Sequence, residues 1–444
     1  MDIKKEKHMF AIPTHRKCKK AILSIVEEMR QCNETWDIFL VVLDNSPNTI
    51  FEENDKIIEK IRKTINFVIY HISMDEMVHM VEKLANCMKI NSSYMMELLI
   101  PREIDYGKIY NLLYICAISF SADIIHRRDS DCSLGDIMLG DYPIDMEMKY
   151  INKPINHVIN KLEIHKKEEY GDDEKICIVG GDYAGNWNLD LHELKQNDPE
   201  VVKKILRLSN IPEEDIEIED SINYTENEYK KPSGKAVLDN TFEFEYNVMP
   251  ECGNISICEI FKYLPNFIGE YGIGYDYFTY FIAYLYRVPI VFHKNKIYHI
   301  HDEERYDLIK IEKYWIGMYK NIMLDTIYTE LIKMGTIEHL CKKSKGLEAL
   351  RKSSENELGN LLREAIQNID VQKEKKIIDT ICNDILLYSP LDKYKSVGKI
   401  IRKRKREIIE NTRRDFEHSI QLIEIWKDIV LNIKKINFWN IREL

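Results

Sequence analysis

The chain has 444 residues, 45% hydrophobic, 31% charged and 10% aromatic, a balance that excludes a disordered or collagen-like polymer and supplies enough apolar surface for a full core. Lys+Arg 63 against Asp+Glu 74 gives a formal net charge of -11, which excludes a general polyanion binder, so no nucleic acid is expected as a partner. At roughly one domain per 150 residues, the length suits a large α/β domain with an attached helical part.

Residues 1–8 are charged and lack the apolar core and small-residue cleavage site of a signal peptide. No apolar stretch approaches the roughly 20 residues that cross a bilayer. A cytoplasmic protein is expected. The ten cysteines include no Cys-x-x-Cys pair, a pattern of reduced, mostly buried thiols and not of a zinc site or a disulfide framework.

In chain order, residues 9–12 form a short apolar run stopped by Pro13-Thr14, and residues 17–32 carry Ile22, Ile25, Val26 and Met29 at helical spacing. Residues 39–43 read as a buried strand followed by the turn at 44–47, residues 57–65 as helix and 66–72 as strand. Helical patterns at 74–89 and 106–120 precede another strand at 123–126. Strands that are apolar on both faces, with helices between them, predict a parallel sheet covered on two sides. Ligands of such sheets sit beyond the carboxyl ends of the strands.

From residue 140 to about 239 the character loosens, with a buried strand at 176–179 and an acidic excursion near 212–235. Strand-like alternation returns at 241–248, and 288–293 with 296–300 predicts a late hairpin. From about 311 the helical period dominates to the C-terminus. The expected organisation is a domain over 1–310, divided into halves 1–135 and 136–310, and a helical domain over 311–444. The basic run 402–406 reads as a solvated helix face, and the tail offers a surface for oligomerisation.

Four strand ends bring polar groups to one sheet edge: Pro13-Thr14-His15-Arg16, Asp44-Asn45-Ser46, Asp129-Ser130-Asp131 and Gly180-Gly181-Asp182. Two carboxylates one residue apart can face one hard cation, and Mg²⁺ or Mn²⁺ is commonly held by one or two carboxylates with diphosphate oxygens. The bland alternative is a capped loop or Asx turn. His126-Arg127-Arg128 adds positive charge where phosphates would lie. On the other side, residues 180–187 combine glycines with Trp187, and 269–278 is glycine-rich, opens an apolar helix and carries two carboxylates. Asp276 is equally placed to cap that helix.

Ile12-Pro-Thr-His-Arg16, Val42-Leu-Asp-Asn-Ser46, Gly107 with Asn111, and Asp129-Ser-Asp131 together resemble the nucleotide-sugar-binding half of a GT-A-type glycosyltransferase. His126-Arg-Arg-Asp-Ser-Asp131 also resembles the wording of a bacterial family of GT-A-like proteins. The resemblance covers about residues 10–132, continues with weaker motifs to about 305 and does not reach the helical tail. It implies a GT-A-like (Rossmann-like), mostly parallel sheet flanked by helices. It also implies that Asp44 contacts the nucleobase or ribose, that Pro13, Thr14 and Arg16 line the donor pocket, and that Asp129 and Asp131 surround the metal and the donor's ribose and diphosphate. A late histidine completes the metal site in several such families. His301 is the expected ligand, ahead of His299, because it stands nearer the end of its strand. A carboxylate deprotonates or orients the acceptor, Asp276 first and Glu270 second. Arg127 and Arg128 replace residues that are apolar in many members and are expected to assist at the diphosphate.

The function expected is therefore a Mn²⁺- or Mg²⁺-dependent hexosyltransferase that takes a nucleoside diphosphate sugar, UDP-linked in the first instance, to a peptide, small-molecule or glycan acceptor. The alternatives are a nucleotidyltransferase, although Thr14-His-Arg-Lys17 lacks the usual glycine, and a catalytically silent GT-A-like scaffold.

Overall fold

The computed structural model describes residues 5–32, 36–135, 142–158, 162–164, 174–185, 191–209, 213, 216, 236–239, 250–299, 307–343 and 346–436. Strands β1 (Lys7–Thr14), β2 (Asp37–Asp44), β3 (Val68–Ser73) and β4 (Ile124–Arg128) alternate with α1 (Lys19–Arg30), α2 (Asn48–Arg62), α3 (Met74–Met88), α4 (Ser92–Leu99) and α5 (Tyr106–Ser119). The four strands are parallel, with Phe10 of β1 opposite Leu40 on one side and His126 on the other. Successive side chains leave a strand on opposite faces. Phe10, Ile12, Leu40 and Val42 accordingly pack with Ile22, Ile25 and Ile58 of α1 and α2, while Met9, Ala11, Val41 and Leu43 join the larger cluster containing α3, α4 and α5. Helix α3 starts at Ser73, whose hydroxyl and backbone N–H pair with the Glu76 backbone and carboxylate in a capping box.

The second half adds β5 (Cys132–Ser133), α6 (Pro143–Tyr150), β6 (Leu162–Ile164), β7 (Ile178–Gly185), β8 (Ala236–Asp239), β9 (Asn254–Cys258) and β10 (Ile290–His299). The strand order is β3-β2-β1-β4-β9-β7-β10-β8-β6, with β5 paired to β10 off this path. β9 is antiparallel to both β4 and β7 and joins the halves. The α/β arrangement predicted from the sequence, a mostly parallel sheet flanked by helices, is the one observed: a parallel first half, a mixed second half, and helices on both faces.

Two local expectations are corrected. The late hairpin is one continuous strand, β10, with a register shift between His293 and Ile297 against β7. The residues that looked like a turn form a bulge held from within: the buried Asn295 side chain donates to the Tyr142 carbonyl at 2.9 Å, and the Asn295 backbone carbonyl accepts from Asn254 Nδ2 at 3.1 Å. The stretch at 180–185, expected to follow the strand at 176–179, belongs to β7 itself. Its glycines serve close packing, because a Cβ on Gly181 would lie 2.5 Å from His293 Cε1 and 2.6 Å from the Asn295 carbonyl oxygen. Trp187, residues 241–248 and nearly all of the acidic excursion lie outside the described residues.

The C-terminal region is helical as expected, from Leu308–Met334 to the long helix Asp392–Ile433. Phe416, Ile420, Ile423 and Trp426 of that last helix belong to the same core cluster as Tyr114, Phe261 and Phe267, and the Trp426 indole donates to the Phe261 carbonyl at 3.1 Å. The boundary expected at 310/311 falls inside the first turn of helix Leu308–Met334, and the core runs across it. In the basic run, Arg404 pairs with Glu312 and Glu407, Lys405 with Asp379, and Arg406 with Glu410. All ten cysteines are free thiols, buried except Cys32 and Cys87. Among the described residues no helix is long and apolar enough to cross a membrane.

Candidate active site

At the carboxyl end of β1 the chain turns on Thr14, whose hydroxyl donates to the Arg16 carbonyl at 2.8 Å and accepts from the Arg16 N–H at 3.1 Å. Asn54 of α2 ties this turn to the next one, donating to the Arg16 carbonyl at 3.0 Å and to Asp44 Oδ2 at 2.8 Å. Asp44 is buried and accepts from the Ser46 N–H as an Asx turn, with His71 Nε2 3.1 Å from its other oxygen. Those donors outweigh the effect of burial and hold its carboxyl below the ordinary range. Pro13 lies buried in β1 opposite Leu43. Arg16 is thus the side chain that the first turn presents to the sheet edge.

The edge is completed by the turn after β4. Pairing of β5 with β10 sets His299 opposite Cys132, and this register brings His299 Nε2 to 3.5 Å from Asp131 Oδ1, while Arg16 Nη1 lies 3.3 Å from Asp131 Oδ2. Asp129 accepts from the Tyr110 hydroxyl of α5 at Oδ1 and from the Tyr183 hydroxyl of β7 at Oδ2, each at 2.9 Å. Tyr183 accepts in turn from the Gly253 N–H at 2.8 Å and stacks on His299 with ring centroids 4.9 Å apart. Arg127 lies with its guanidinium carbon 3.1 Å from the Tyr110 ring centroid, its Nε 3.4 Å from Asp129 Oδ1 and its Nη2 3.0 Å from Asp276 Oδ2. Arg16, Arg127, Asp129, Asp131, Asp276, His299 and two phenols therefore share one edge of the sheet.

The three carboxylates differ in how readily they give up a proton. At Asp129, burial opposes ionisation, but the Arg127 charge and both phenolic donors outweigh it and hold the carboxyl below the usual range. Burial pushes Asp131 up, and the neighbouring Asp129 charge adds to this despite His299 and Arg16. Burial also pushes Asp276 up against the pull of Arg127. An ionised carboxylate beside two that resist ionisation suits a site that receives a cation on one side and a proton on the other.

Among the described residues no group of three or more His, Cys, Asp or Glu side chains is gathered as a formed metal site. The donors fit Mn²⁺ or Mg²⁺ in kind, since Asp129 and Asp131 offer hard oxygens and His299 an imidazole. His301 lies outside the described residues, and His299 is the imidazole that the structure brings to Asp131.

Arg128 is not part of this group. Alternation along β4 sends it to the opposite face from Arg127, where it is 2% exposed. There it bonds bidentately to Glu28 at 2.8 and 2.6 Å and to Glu147 at 2.9 Å. Its expected role at a diphosphate is replaced by a structural one. Glu270 is exposed, and its carbonyl, not its carboxylate, is engaged, accepting from Lys320. Asn111 exchanges hydrogen bonds with the Asn266 backbone at 3.0 and 2.7 Å, and so seats the loop before Asp276. Tyr110 and Tyr183 escaped the sequence reading, although Tyr110 adjoins Asn111 and Tyr183 falls in the glycine-rich stretch already singled out.

The chain belongs to the family described as a family of unknown function (DUF6271), whose model matches residues 7–441. No curated protein matches it. Similar solved structures include glucosyl-3-phosphoglycerate synthase from Mycobacterium tuberculosis in complex with UDP, at 12% identity over 72% of this chain and 80% of that one, with a TM-score of 0.35. S. aureus TarS 1-349 in complex with UDP-GlcNAc is 12% identical over 95% of this chain and 92% of its own, with a TM-score of 0.38. The mannosyltransferase PcManGT from Pyrobaculum calidifontis, in complex with GDP-Man and Mn²⁺, is 8% identical over 98% and 88%, with a TM-score of 0.36.

Proposed function

We propose that this member of the DUF6271 family is a glycosyltransferase that uses a nucleoside diphosphate sugar. The observation that carries the reading is the convergence of Arg16, Arg127, Asp129 and Asp131 at the carboxyl ends of β1 and β4, with Asp276 held across Arg127. Cations and hard carboxylates at such a sheet edge suit a diphosphate and its counter-ion.

In the reaction, the acceptor oxygen bonds to the anomeric carbon as the bond to the diphosphate oxygen breaks. The diphosphate leaves with the bonding electron pair, and Arg16 and Arg127 face the charge that builds there. The acceptor proton passes to Asp276, whose raised affinity for a proton suits that role. Asp129 is held by Tyr110, Tyr183 and Arg127 and fixes the geometry of the edge. A divalent cation held by Asp129 and Asp131, with an imidazole from residues 299 or 301, would add positive charge against the diphosphate.

Thermal-shift and calorimetric titration with UDP and GDP, with and without Mn²⁺, tests this reading. Mn²⁺-dependent binding that disappears in Asp131→Asn, followed by release of the nucleoside diphosphate from its sugar conjugate, is the expected result. Wild-type protein that binds neither nucleotide with the metal overturns it.

A further inference from the structure

Behind the donor edge stands a histidine that the proposed chemistry leaves unused. Strand β3 lies at the edge of the sheet beside β2, with His71 opposite Val42. Alternation turns Ile72 towards the cluster containing α3 and turns Ile69 and His71 towards α1 and α2. There His71 is 3% exposed, and its ring stacks on Phe51 of α2 with centroids 4.0 Å apart. Two carboxylates face the ring, one from each element packed against this side of it: Nε2 lies 3.1 Å from Asp44 Oδ2 of β2, and Nδ1 lies 2.9 Å from Asp55 Oδ1 of α2. A neutral imidazole has one N–H and one bare nitrogen, so only a ring that carries both protons donates to both oxygens.

The constraint continues beyond Asp44. Asn54 is fully buried, and its amide nitrogen donates to Asp44 Oδ2 at 2.8 Å and to the Arg16 carbonyl at 3.0 Å, while its oxygen accepts from the Cys18 N–H at 3.2 Å. Asp44 Oδ1 meanwhile accepts from the Ser46 N–H at 2.8 Å. Contacts of hydrogen-bond length therefore run unbroken from Asp55, whose side chain is 45% exposed, through His71, Asp44 and Asn54 to the turn that carries Arg16. Hydrogen bonds between charged partners are the strong ones, and they are stronger still away from water. The ring and the buried Asp44 carboxylate thus hold one another in place.

We infer that His71 is a positioning residue of the donor side, which together with Asp55 fixes Asp44 and, through Asn54, the turn that aims Arg16 at the diphosphate. This rests on the glycosyltransferase reading, in which Arg16 faces that group. A ring that has given up its second proton donates to one carboxylate and turns a lone pair to the other. The clamp then opens at one end, so donor affinity depends on the proton that Asp44 and Asp55 keep on the ring between them.

The test titrates the full chain with UDP and Mg²⁺ by calorimetry. His71→Leu removes the donor to Asp44 and should weaken UDP binding about tenfold, the scale of a lost charge-assisted bond. On an Arg16→Gln background the same substitution should change affinity less than about twofold, because the residue it acts through is gone. Asp55→Asn supplies a second arm on an exposed side chain, where the fold tolerates the change. An amide at position 55 can donate to Nδ1, so a ring with a single proton makes both contacts. The ratio of wild-type to Asp55→Asn affinity should therefore fall as the pH is raised from slightly acid to alkaline. Effects of pH on the nucleotide and on the metal's ligands are common to both chains and cancel in that ratio, which also decides the matter should His71→Leu not fold. An equal loss on both backgrounds, or a ratio that does not change with pH, overturns the proposal and leaves the glycosyltransferase reading standing. UDP that does not bind the wild-type chain overturns both.

Discussion

At Gly253 a Cβ would fall 2.2 Å from the Tyr183 hydroxyl and 2.4 Å from Asp129 Oδ2, the two atoms whose bond fixes the carboxylate at the sheet edge. Gly253→Ala must push them apart, so it should abolish metal-dependent nucleotide binding while costing about 1–3 kcal/mol of stability, the usual price of overpacking; nucleotide titration and urea melts read the two effects. Each imidazole of the 299–301 segment can be removed separately. His299→Ala should raise the Mn²⁺ needed for half-maximal nucleotide binding more than His301→Ala, because His299 already lies 3.5 Å from Asp131. Equal Mn²⁺ titrations would take the described imidazole out of the site. On the far face of β4, His126 is buried between His8 and Glu147, and burial depresses its pKa to about 4 despite Glu147. A histidine neutral in the fold binds its proton more readily when unfolded, so the unfolded state holds more protons between about 6.5 and 4. Stability should therefore fall as pH drops through that window, and urea midpoints measured across it should fall less steeply in His126→Gln, with the buried His293, likewise depressed to about 4, keeping its own share.

Alternation along β4 decides the fate of neighbouring residues with identical chemistry: Arg127 faces the site, and Arg128 faces Glu28 and Glu147. The run His126-Arg-Arg-Asp showed that a strand delivers charge to its carboxyl end. It could not show which arginine belonged to the site, because that depends on which carboxylates distant elements place on each face. The parallel half was legible because its strands are continuously apolar and its helices have regular periods. The path of β10 was not, since Asn295 looks like a turn residue until Tyr142 and Asn254 occupy its polar groups. His299 reached the site by the same route, through a β5–β10 pairing between residues 132 and 299 that no local pattern encodes. Helix α5 offers the element-scale test, because a Cβ on Gly107 would lie 1.6 Å from the Phe267 carbonyl oxygen. Backbone must move to relieve that contact, and the loop that moves leads to Asp276. Gly107→Ala should lose roughly 3 kcal/mol or more, above ordinary overpacking, and should depress sugar transfer beyond what the stability loss explains. Urea melts read beside turnover at a temperature where the variant is folded provide the comparison.

At the scale of the molecule, a division at residue 310 is clear to a reader of periodicity, because strand signals cease there and helical spacing takes over. Periodicity reports how each element is wound, however, and not which elements share a core. The last helix inserts Phe416, Ile420 and Trp426 among side chains of the first 310 residues. Its Ser419 hydroxyl accepts from the Ile268 N–H at 2.9 Å, while Asp415 meets Lys320, whose amine also reaches the Glu270 carbonyl. The loop that carries Asp276 is thus braced by the helical region. Fully burying one such apolar side chain is worth about 1.5–3 kcal/mol, so removing several of them exceeds the roughly 5–15 kcal/mol by which domains of ordinary size are stable. A chain ending at 390, which lacks helix Asp392–Ile433, should therefore be insoluble or bind hydrophobic dyes in an expanded state, and it should not bind nucleotide. Supplying residues 391–444 in trans should restore part of that binding if the lost core is the cause. A soluble truncated chain with a cooperative melt and wild-type nucleotide affinity would show instead that residues 1–390 close a core without the last helix.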